Sequence, residues 1–319
     1  MQIEILSSES LGVRGLCCFV SIPGRKILID PGIALGYMRH KLLPHPFQIA
    51  VGEQIKEHIL ICWEQATDIV FSHFHGDHVP LADANPYQLH IKDVIDLNPK
   101  VRIWSKPEEF LSRLEKKRVA DINSFLDVDF LFDECGEKEL AFAGPFFHGD
   151  VDNPDTVIMT RIAADRVFVH ASDIQLLSME PVSRILDWSP EVALVDGPPL
   201  YLNRLSPEQV NTAWENALRL ARNVDALILD HHLMRDTRGV EWLSELSHIC
   251  GKQVMCSADF MHRPRMFLEA EREKLYADMP VSEHWHEEYE NNGSSLDAYW
   301  DMARKYYKSY QLERYFHAQ

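Results

Sequence analysis

The stretch 70-VFSHFHGDHVPL-81 places three histidines and an aspartate within six residues, directly after a run of strand-forming side chains. His73 and His75 share one face of an extended segment because they are two positions apart, and the turn that follows can bring Asp77 and His78 alongside them. Four titratable side chains are costly to bury in one loop unless they bind something. Imidazole and carboxylate groups are ligands for zinc, iron or manganese rather than for calcium or magnesium. Four such groups exceed what one tetrahedral site with an open position takes, so the stretch predicts two metal ions.

Strand-like and helix-like segments alternate along the chain on both sides of this loop. The strand-like runs are 2–6, 16–22, 26–30, 68–73, 101–105, 127–132, 139–147, 156–163, 166–173, 192–197 and 224–232, and the helical patterns are 52–66, 107–122 and 206–222. Four of these strands end at a potential ligand: Asp30, His73, Asp173 and His231. Because α/β proteins build sites from strand ends at one edge of a sheet, we expect these side chains to meet. The pattern predicts an α/β fold with two packed sheets and helices on the outer faces.

The motifs at these strand ends resemble those of the metallo-β-lactamase superfamily of metal-dependent hydrolases. HFHGDH matches its HxHxDH signature, and the order and spacing of the motifs agree over roughly residues 1 to 260. The matching positions are Asp30 in 27-ILIDPG-32, His148 after 142-FAGPFF-147, Asp173 in 168-FVHASDIQ-175, and His231 or His232 in 227-LILDHHLMRD-236. Ser172 is a departure, since the family usually has glycine there. The resemblance implies a four-layer αββα sandwich that forms a catalytic domain over residues 1–262.

This resemblance also implies a role for each matched residue. One metal ion would be held by His73, His75 and His148, and the second by Asp77, His78 and the last histidine, with Asp173 as the bridge. A hydroxide between the two ions would be the nucleophile, and Asp77 would combine metal binding with a catalytic role. Asp30 would orient the histidine loop without binding metal itself. The expected cofactor is two divalent transition-metal ions, zinc first, with iron or manganese as alternatives.

Three further choices stay open at this point. In RNA-processing relatives the last ligand lies four residues before an arginine, and this analogy selects His231 over His232 because Arg235 follows at that distance. His232 would then pack or line the pocket. Arg235 is either a substrate-binding cation or a salt-bridged surface residue. His45, in 44-PHP-46, either reaches the rim of the pocket or is a loop histidine between prolines.

A narrower resemblance concerns the mainly archaeal UPF0282-type proteins of the same superfamily. It is carried by 10-SLGVRGLCCFV-20, 27-ILIDPGIAL-35, 44-PHP-46, DHHLMRD and 268-LEAEREKLY-276. This resemblance supports the fold and implies no particular substrate.

The composition limits the partners that the chain is expected to meet. Lys and Arg number 32 against 49 Asp and Glu, so the net charge is −17, which repels phosphate backbones and makes nucleic acid an unfavourable partner. No stretch has the length and apolar character of a membrane-spanning helix, and residues 1–10 do not have the pattern of a secretory leader. The six cysteines form no CxxC pair. We therefore expect a cytoplasmic protein.

The C-terminal region, residues 263–319, is charged, helical in pattern and rich in aromatic side chains. It is too short to hold an independent core, and its aromatics are too many to leave in water. We expect this helical extension to dock on the core or on a partner subunit, which keeps a homodimer open.

Three functions fit the ligand set. The first is a binuclear hydrolase that acts on an ester, lactone, thioester or phosphodiester bond of a small or medium substrate. The second is a metal-dependent nuclease of the RNA-processing type. The third is an iron-dependent redox or sulfur-oxygenating enzyme, since the same ligands serve iron.

Overall fold

Two mixed β-sheets form the centre of the computed structural model, which describes residues 1–128, 130–131, 137–149, 154–202, 204–291 and 293–302. The strands of the first sheet are β1 (Gln2–Ile5), β2 (Cys18–Ile22), β3 (Arg25–Ile29), β4 (Asp68–Phe71), β5 (Arg102–Ser105) and β6 (Phe130–Leu131), in the order β1-β2-β3-β4-β5-β6. The strands of the second are β7 (Leu140–Phe147), β8 (Thr156–Ala163), β9 (Val167–His170), β10 (Val192–Asp196) and β11 (Ala226–Asp230), in the order β11-β10-β9-β8-β7. β3, β4 and β5 are parallel, as are β9, β10 and β11, so the chain leaves each set at one edge.

Helices cover the outer faces of both sheets. They are α1 (Pro46–Gln65), α2 (Arg113–Leu126), α3 (Met179–Trp188), α4 (Pro207–Asn223), α5 (Arg238–Cys250), α6 (Ser257–Phe260), α7 (Arg272–Asp278) and α8 (Trp285–Glu290). Successive strand residues point to opposite faces, and β2 shows the consequence. Val20 belongs to the apolar cluster that joins the two sheets, whereas Phe19 belongs to the cluster beneath α1. The described residues therefore form the layers helix, sheet, sheet, helix.

Two predicted helix starts were wrong. The helix predicted from 107 begins at Arg113, because Ser112 and Glu115 form a reciprocal capping box and Pro107 instead precedes a short 3₁₀ turn. The helix predicted from 52 begins at Pro46, with His45 as its N-cap. Of the strand predicted at 127–132, residues 129 and 132 lie outside the described part of the chain.

Most of the described apolar residues after 262 pack against the side of the core that α1 covers. Arg14 and Glu269 form an ion pair with 2.7 Å between Nε and Oε2. The aromatic side chains in contact with that side of the core are Trp285, Tyr289, Tyr299 and Trp300. The remaining aromatics of the predicted terminal helix, Tyr306, Tyr307, Tyr310, Tyr315 and Phe316, lie outside the described residues. A partner subunit and the division of the chain into residues 1–262 and a helical extension of 263–319 stay predictions.

Arg272 is the deepest anchor of this region. Its guanidinium is fully buried and donates hydrogen bonds to the carbonyl oxygens of Gly36 (2.7 Å) and Leu42 (3.0 Å) and to Oε1 of Gln48 (3.1 Å). Three charge-assisted hydrogen bonds offset the cost of removing the cation from water. The connection between β3 and α1 is thus tied to the C-terminal region.

Across the residues that the structure describes, no helix combines the length and the apolar character needed to cross a membrane.

Candidate metal centre

The ends of four strands bring the candidate ligands to one edge of the two sheets. Asp30 follows β3, His73 lies two residues after β4, Asp173 lies three residues after β9, and His231 follows β11. Asp30, Ser172 and His231 adopt left-handed backbone conformations, with φ of 47°, 52° and 55°. Non-glycine residues in that region cost of the order of 1 kcal/mol or more and cluster at functional sites. The positive φ at Ser172 would also suit a glycine, the residue that the family resemblance implies at this position.

Four imidazoles converge on one carboxylate oxygen. The Nε2 atoms of His148, His231, His78 and His73 lie 3.1, 3.2, 3.3 and 3.6 Å from Oδ2 of Asp173. Asp173 is 1% exposed, so the contact is shielded from solvent. The prediction that His73, Asp173 and His231 meet at one sheet edge is confirmed.

The potential ligand atoms fall into overlapping clusters, each within 4.8 Å. The clusters are His73–His75–His148–Asp173, Asp77–His78–His231, Asp30–His73–His78 and Asp173–His231–His232. The first two reproduce the two ligand sets that the family resemblance implies, and Asp173 contacts histidines of both sets.

The residues fit divalent transition metals on their own chemistry. Nε2 of His73 and Oδ1 of Asp173 are buried and have no hydrogen-bond partner among the described residues. A buried polar atom without a partner costs roughly 1–3 kcal/mol. Metal ions at the centre of the cluster would satisfy both atoms, and neutral imidazoles with carboxylates are the donors that zinc, iron and manganese take.

Burial and close charges act on the proton affinities of this cluster. Burial alone would raise the pKa of Asp173, but the neighbouring His231 and His78 hold it well below its ordinary value. Burial alone would lower the pKa of His78, but Asp173 and Asp30 outweigh it and raise the pKa to about 10. Burial lowers the pKa of His73 well below its usual range. Metal ions would replace the protons on His78, since both compete for the same nitrogen.

Asp30 contacts the histidine loop from behind. Its Oδ1 accepts from the backbone N–H of Ser72 (2.7 Å), and its Oδ2 accepts from the Ser72 hydroxyl (2.6 Å) and lies 3.0 Å from Nδ1 of His78. An Nδ1–H bond to a carboxylate fixes the ring tautomer and leaves Nε2 as the electron-pair donor. This is the position expected of an orienting residue.

Three acidic residues that the sequence did not single out hold further histidines. Glu9 Oε2 lies 2.9 Å from Nδ1 of His231, Asp196 Oδ2 lies 2.7 Å from Nδ1 of His232, and Asp155 Oδ2 lies 3.1 Å from Nε2 of His75. The sequence could have indicated Asp196, because this aspartate ends an apolar strand, β10. It is paired with Asp230, which ends the neighbouring strand β11. No sequence pattern indicated Glu9 or Asp155.

The structure gives the contacts of the residues whose roles were left open, namely His231, His232, Arg235 and His45. His231 contacts Asp77 and Asp173, whereas His232 is held by Asp196 and lies at a cavity. Arg235 is buried, forms an ion pair with Glu9, and places Nη2 3.1 Å from Oδ2 of Asp77. It is therefore neither at the surface nor without partners.

His45 lies apart from the cluster. Nδ1 of His45 accepts from the backbone N–H of Phe47, and Nε2 lies 2.8 Å from the carbonyl oxygen of Met279. These contacts make it the N-cap of α1 and a link to the C-terminal region, and its described contacts include none to the histidine cluster.

A cavity of about 460 Å³ opens beside the cluster. It shares His148 and His232 with the potential ligands, and Tyr201, Arg204 and Leu177 are among its other lining residues. This size is typical of sites for small molecules.

The sequence is similar to those of known proteins over most of its length. A UPF0282 protein from Methanosarcina mazei is 45% identical over 302 residues, which cover 94% of this chain and 99% of the relative. The chain belongs to the UPF0282 family. UPF0282 proteins from Korarchaeum cryptofilum and Thermococcus sibiricus are 31% and 30% identical, covering 89% and 90% of this chain and 97% and 100% of the relatives. No protein-family model matches this UPF0282 chain.

The fold of this UPF0282 protein is also found in a solved structure. The isothiocyanate hydrolase from Delia radicum gut bacteria is similar, with a TM-score of 0.50 and 15% identity, over 80% of this chain and 95% of that chain. At this identity the likeness is one of fold. It confirms the predicted α/β arrangement of two packed sheets with helices on the outer faces.

Proposed function

We propose that this UPF0282 protein is a binuclear metal-dependent hydrolase that cleaves an ester, lactone, thioester or phosphodiester bond of a small or medium substrate. The observation that carries the proposal is the approach of four imidazole Nε2 atoms to one buried oxygen of Asp173, at 3.1 to 3.6 Å. A structural core has no need of four histidines around one carboxylate, whereas a metal centre requires such a set.

The ligand sets would be divided as the family resemblance implies. The first ion would take His73, His75 and His148, the second would take Asp77, His78 and His231, and Asp173 would serve both. When bound, two such ions lower the pKa of water to near 7 and polarise the scissile bond. Zinc is the first candidate, and iron or manganese suit the same donors.

Other residues of the chain would position and orient the metal ligands. Asp30 and Glu9 each hold the Nδ1 side of a histidine and so aim its Nε2 at the centre. Arg235 contacts Asp77 and restricts the carboxylate that we expect to combine metal binding with catalysis. In the overall reaction water adds across the scissile bond: its oxygen joins the acyl carbon or phosphorus, and the leaving oxygen or sulfur takes the second hydrogen.

The two alternative functions, a nuclease and an iron-dependent redox or sulfur-oxygenating enzyme, have less support. A nuclease would have to attract a polyanion to a chain of net charge −17, and the cavity of about 460 Å³ beside the cluster suits a small molecule. An iron-dependent redox or sulfur-oxygenating enzyme requires iron in the purified protein, which elemental analysis detects directly.

The test combines metal content with a substrate panel. Protein purified without chelators is expected to carry up to two transition-metal ions per chain and to cleave at least one of a phosphodiester, a lactone, a thioester and an ester. RNA forms one further arm, and an isothiocyanate another, because the solved neighbour is named for that substrate. His73→Ala should lose metal and activity together. His284→Ala, at a side chain that is 70% exposed, is the matched control and should lose neither. Stoichiometric iron without hydrolysis of any substrate would favour the redox alternative.

A further inference from the structure

We propose that the cavity beside the metal centre binds the anionic end of the substrate, a carboxylate or a phosphate, through the guanidinium of Arg204. This inference rests on the proposed hydrolase function, because it names the class of substrate for that site. The substrate would carry the scissile acyl bond at one end and the anionic group at the other.

The charge of the cavity wall is the first support. The chain has 49 acidic residues, yet none of them is among the described residues that line this cavity, which include Arg204. A positive wall on an acidic protein concentrates small anions at one place and repels them elsewhere. Long polyanions would still meet the acidic surface outside the cavity.

The availability of Arg204 is the second support. Its side chain is exposed at the cavity and has no hydrogen bond or ion pair with the part of the chain that the structure describes. Arg235, by contrast, is already paired with Glu9 and Asp77. Of these two arginines near the centre, only Arg204 has donors that no described residue occupies. A planar guanidinium matches a carboxylate or a phosphate with two parallel hydrogen bonds.

The surroundings of Tyr201 are the third support. Its ring lines the cavity and has the guanidinium carbons of Arg39 and Arg235 at 5.3 and 5.9 Å from the centroid. Nε of Arg39 is buried without a hydrogen-bond partner among the described residues. Arg39 has no ion pair among the described residues and therefore adds to the positive potential of Arg204, whereas the charge of Arg235 is balanced by Glu9 and Asp77.

The N-terminus of helix α4 lies at the same cavity, with Glu208 in its first turn offsetting part of its positive end. The helix has 17 residues and begins at Pro207, three positions after Arg204, and Gln209 in its first turn also lines the cavity. The N-terminus of a helix has a partial positive charge from its aligned peptide dipoles. Leu177 and Leu205 supply apolar surface to the same cavity.

The experiment compares substrates that differ only in the terminal charge. Metal-loaded protein is given 4-nitrophenyl hexanoate, mono-4-nitrophenyl adipate and 4-nitrophenyl 5-phosphonopentanoate, and kcat/KM is measured for each. We expect an anionic ester to be preferred over hexanoate about 10- to 100-fold, since a charge-assisted hydrogen-bond pair contributes that much. The adipate and phosphono arms distinguish a carboxylate site from a phosphate site.

Variants test whether Arg204 is responsible. Arg204→Gln should reduce the ratio of kcat/KM for the anionic ester to that for hexanoate to nearly one. Arg204→Lys should keep part of this preference. Arg222→Gln, at an exposed arginine near the other end of α4, is the matched control and should keep the full preference. Equal kcat/KM for hexanoate and both anionic esters would overturn the proposal while the hydrolase function stands.

Direct binding separates this proposal from the hydrolase function. Titration calorimetry with adipate, and separately with 5-phosphonopentanoate, is performed on the wild type and on Arg204→Gln. If no ester is cleaved but one anion binds and Arg204→Gln weakens its binding 10-fold or more, the anion site stands and the hydrolase function fails. If binding of both anions is unchanged in Arg204→Gln, the anion site is wrong whatever the activity.

Discussion

Oε2 of Glu9 lies 2.9 Å from Nδ1 of His231, although 222 positions separate the two residues in the chain. Both side chains are buried, at 4% and 0% exposure. The same carboxylate pairs with Arg235, which in turn contacts Asp77. Glu9 thus supports two residues of one proposed ligand set, and its effect should be confined to that set.

Glu9→Gln should therefore weaken the second metal ion and leave the first in place. The amide keeps the size of the side chain but loses the charge that holds His231 and Arg235. Substitution of such a supporting residue typically costs 10- to 100-fold in metal affinity. Stepwise titration with zinc, monitored by calorimetry, separates the two binding steps. Glu283→Gln, at an exposed acid, is the control. Equal weakening of both steps would assign Glu9 to general folding.

Asp77→Ala and His148→Ala should each lose metal without unfolding, and each should lose a different ion. Asp77 belongs to the cluster with His78 and His231, whereas His148 belongs to the cluster with His73 and His75. Elemental analysis of purified variants measures the loss, and circular dichroism checks the fold. Full metal content in His148→Ala would show that His148 is not a metal ligand.

Glu269→Gln should lower stability in a pH-dependent manner. Burial alone would raise the pKa of Glu269, but Arg14 outweighs it and lowers the pKa from 4.5 to about 2. A depressed acid contributes stability above its unfolded pKa and loses it as the pH falls through the folded pKa. We expect the variant to be less stable than wild type by up to about 3 kcal/mol at pH 7, with the difference shrinking as the pH falls from 4.5 towards 2.

Urea unfolding across this pH range measures that difference. Glu271→Gln, two positions away and exposed, is the matched control and should follow the wild type at every pH. A constant difference between Glu269→Gln and wild type down to pH 2.5 would mean that the ion pair with Arg14 is not its source.

Truncation after residue 262 should reduce thermal stability and solubility. The described part of the removed segment buries Met266 and Leu268 against the core and supplies the partner of Arg14. Leu268→Ala is a milder version, for which a loss of about 2–5 kcal/mol is expected at a buried leucine. A truncated protein that stays soluble with an unchanged melting temperature would show that the extension is a loose appendage.

The sequence predicted the parts of the site that are local or that recur at strand ends. His73 to His78 form one loop, and Asp30, Asp173 and His231 follow apolar strands, so the topology of an α/β sheet was enough to bring them together. Asp196 followed the same rule and was overlooked beside the stronger histidine motifs.

Other features depend on contacts that no local pattern encodes. Glu9 sits in a short turn near the start of the chain, and only the folded structure shows that it reaches His231. Arg272 is fully buried, whereas a charged residue in a helical tail predicts exposure. The start of α2 was encoded in Ser112 and Glu115, but Pro107 was the more conspicuous signal and misplaced it.

The buried guanidinium of Arg272 has one more consequence. The carbonyl oxygens that it contacts, those of Gly36 and Leu42, flank Arg39, whose guanidinium lies over the ring of Tyr201. Arg272 thus holds the segment that carries Arg39, and through Arg39 it supports Tyr201 in the wall of the cavity. None of the proposed metal ligands takes part in this contact. Loss of the Arg272 contacts should therefore first reduce the discrimination between substrates, in a protein that still holds both of its metal ions.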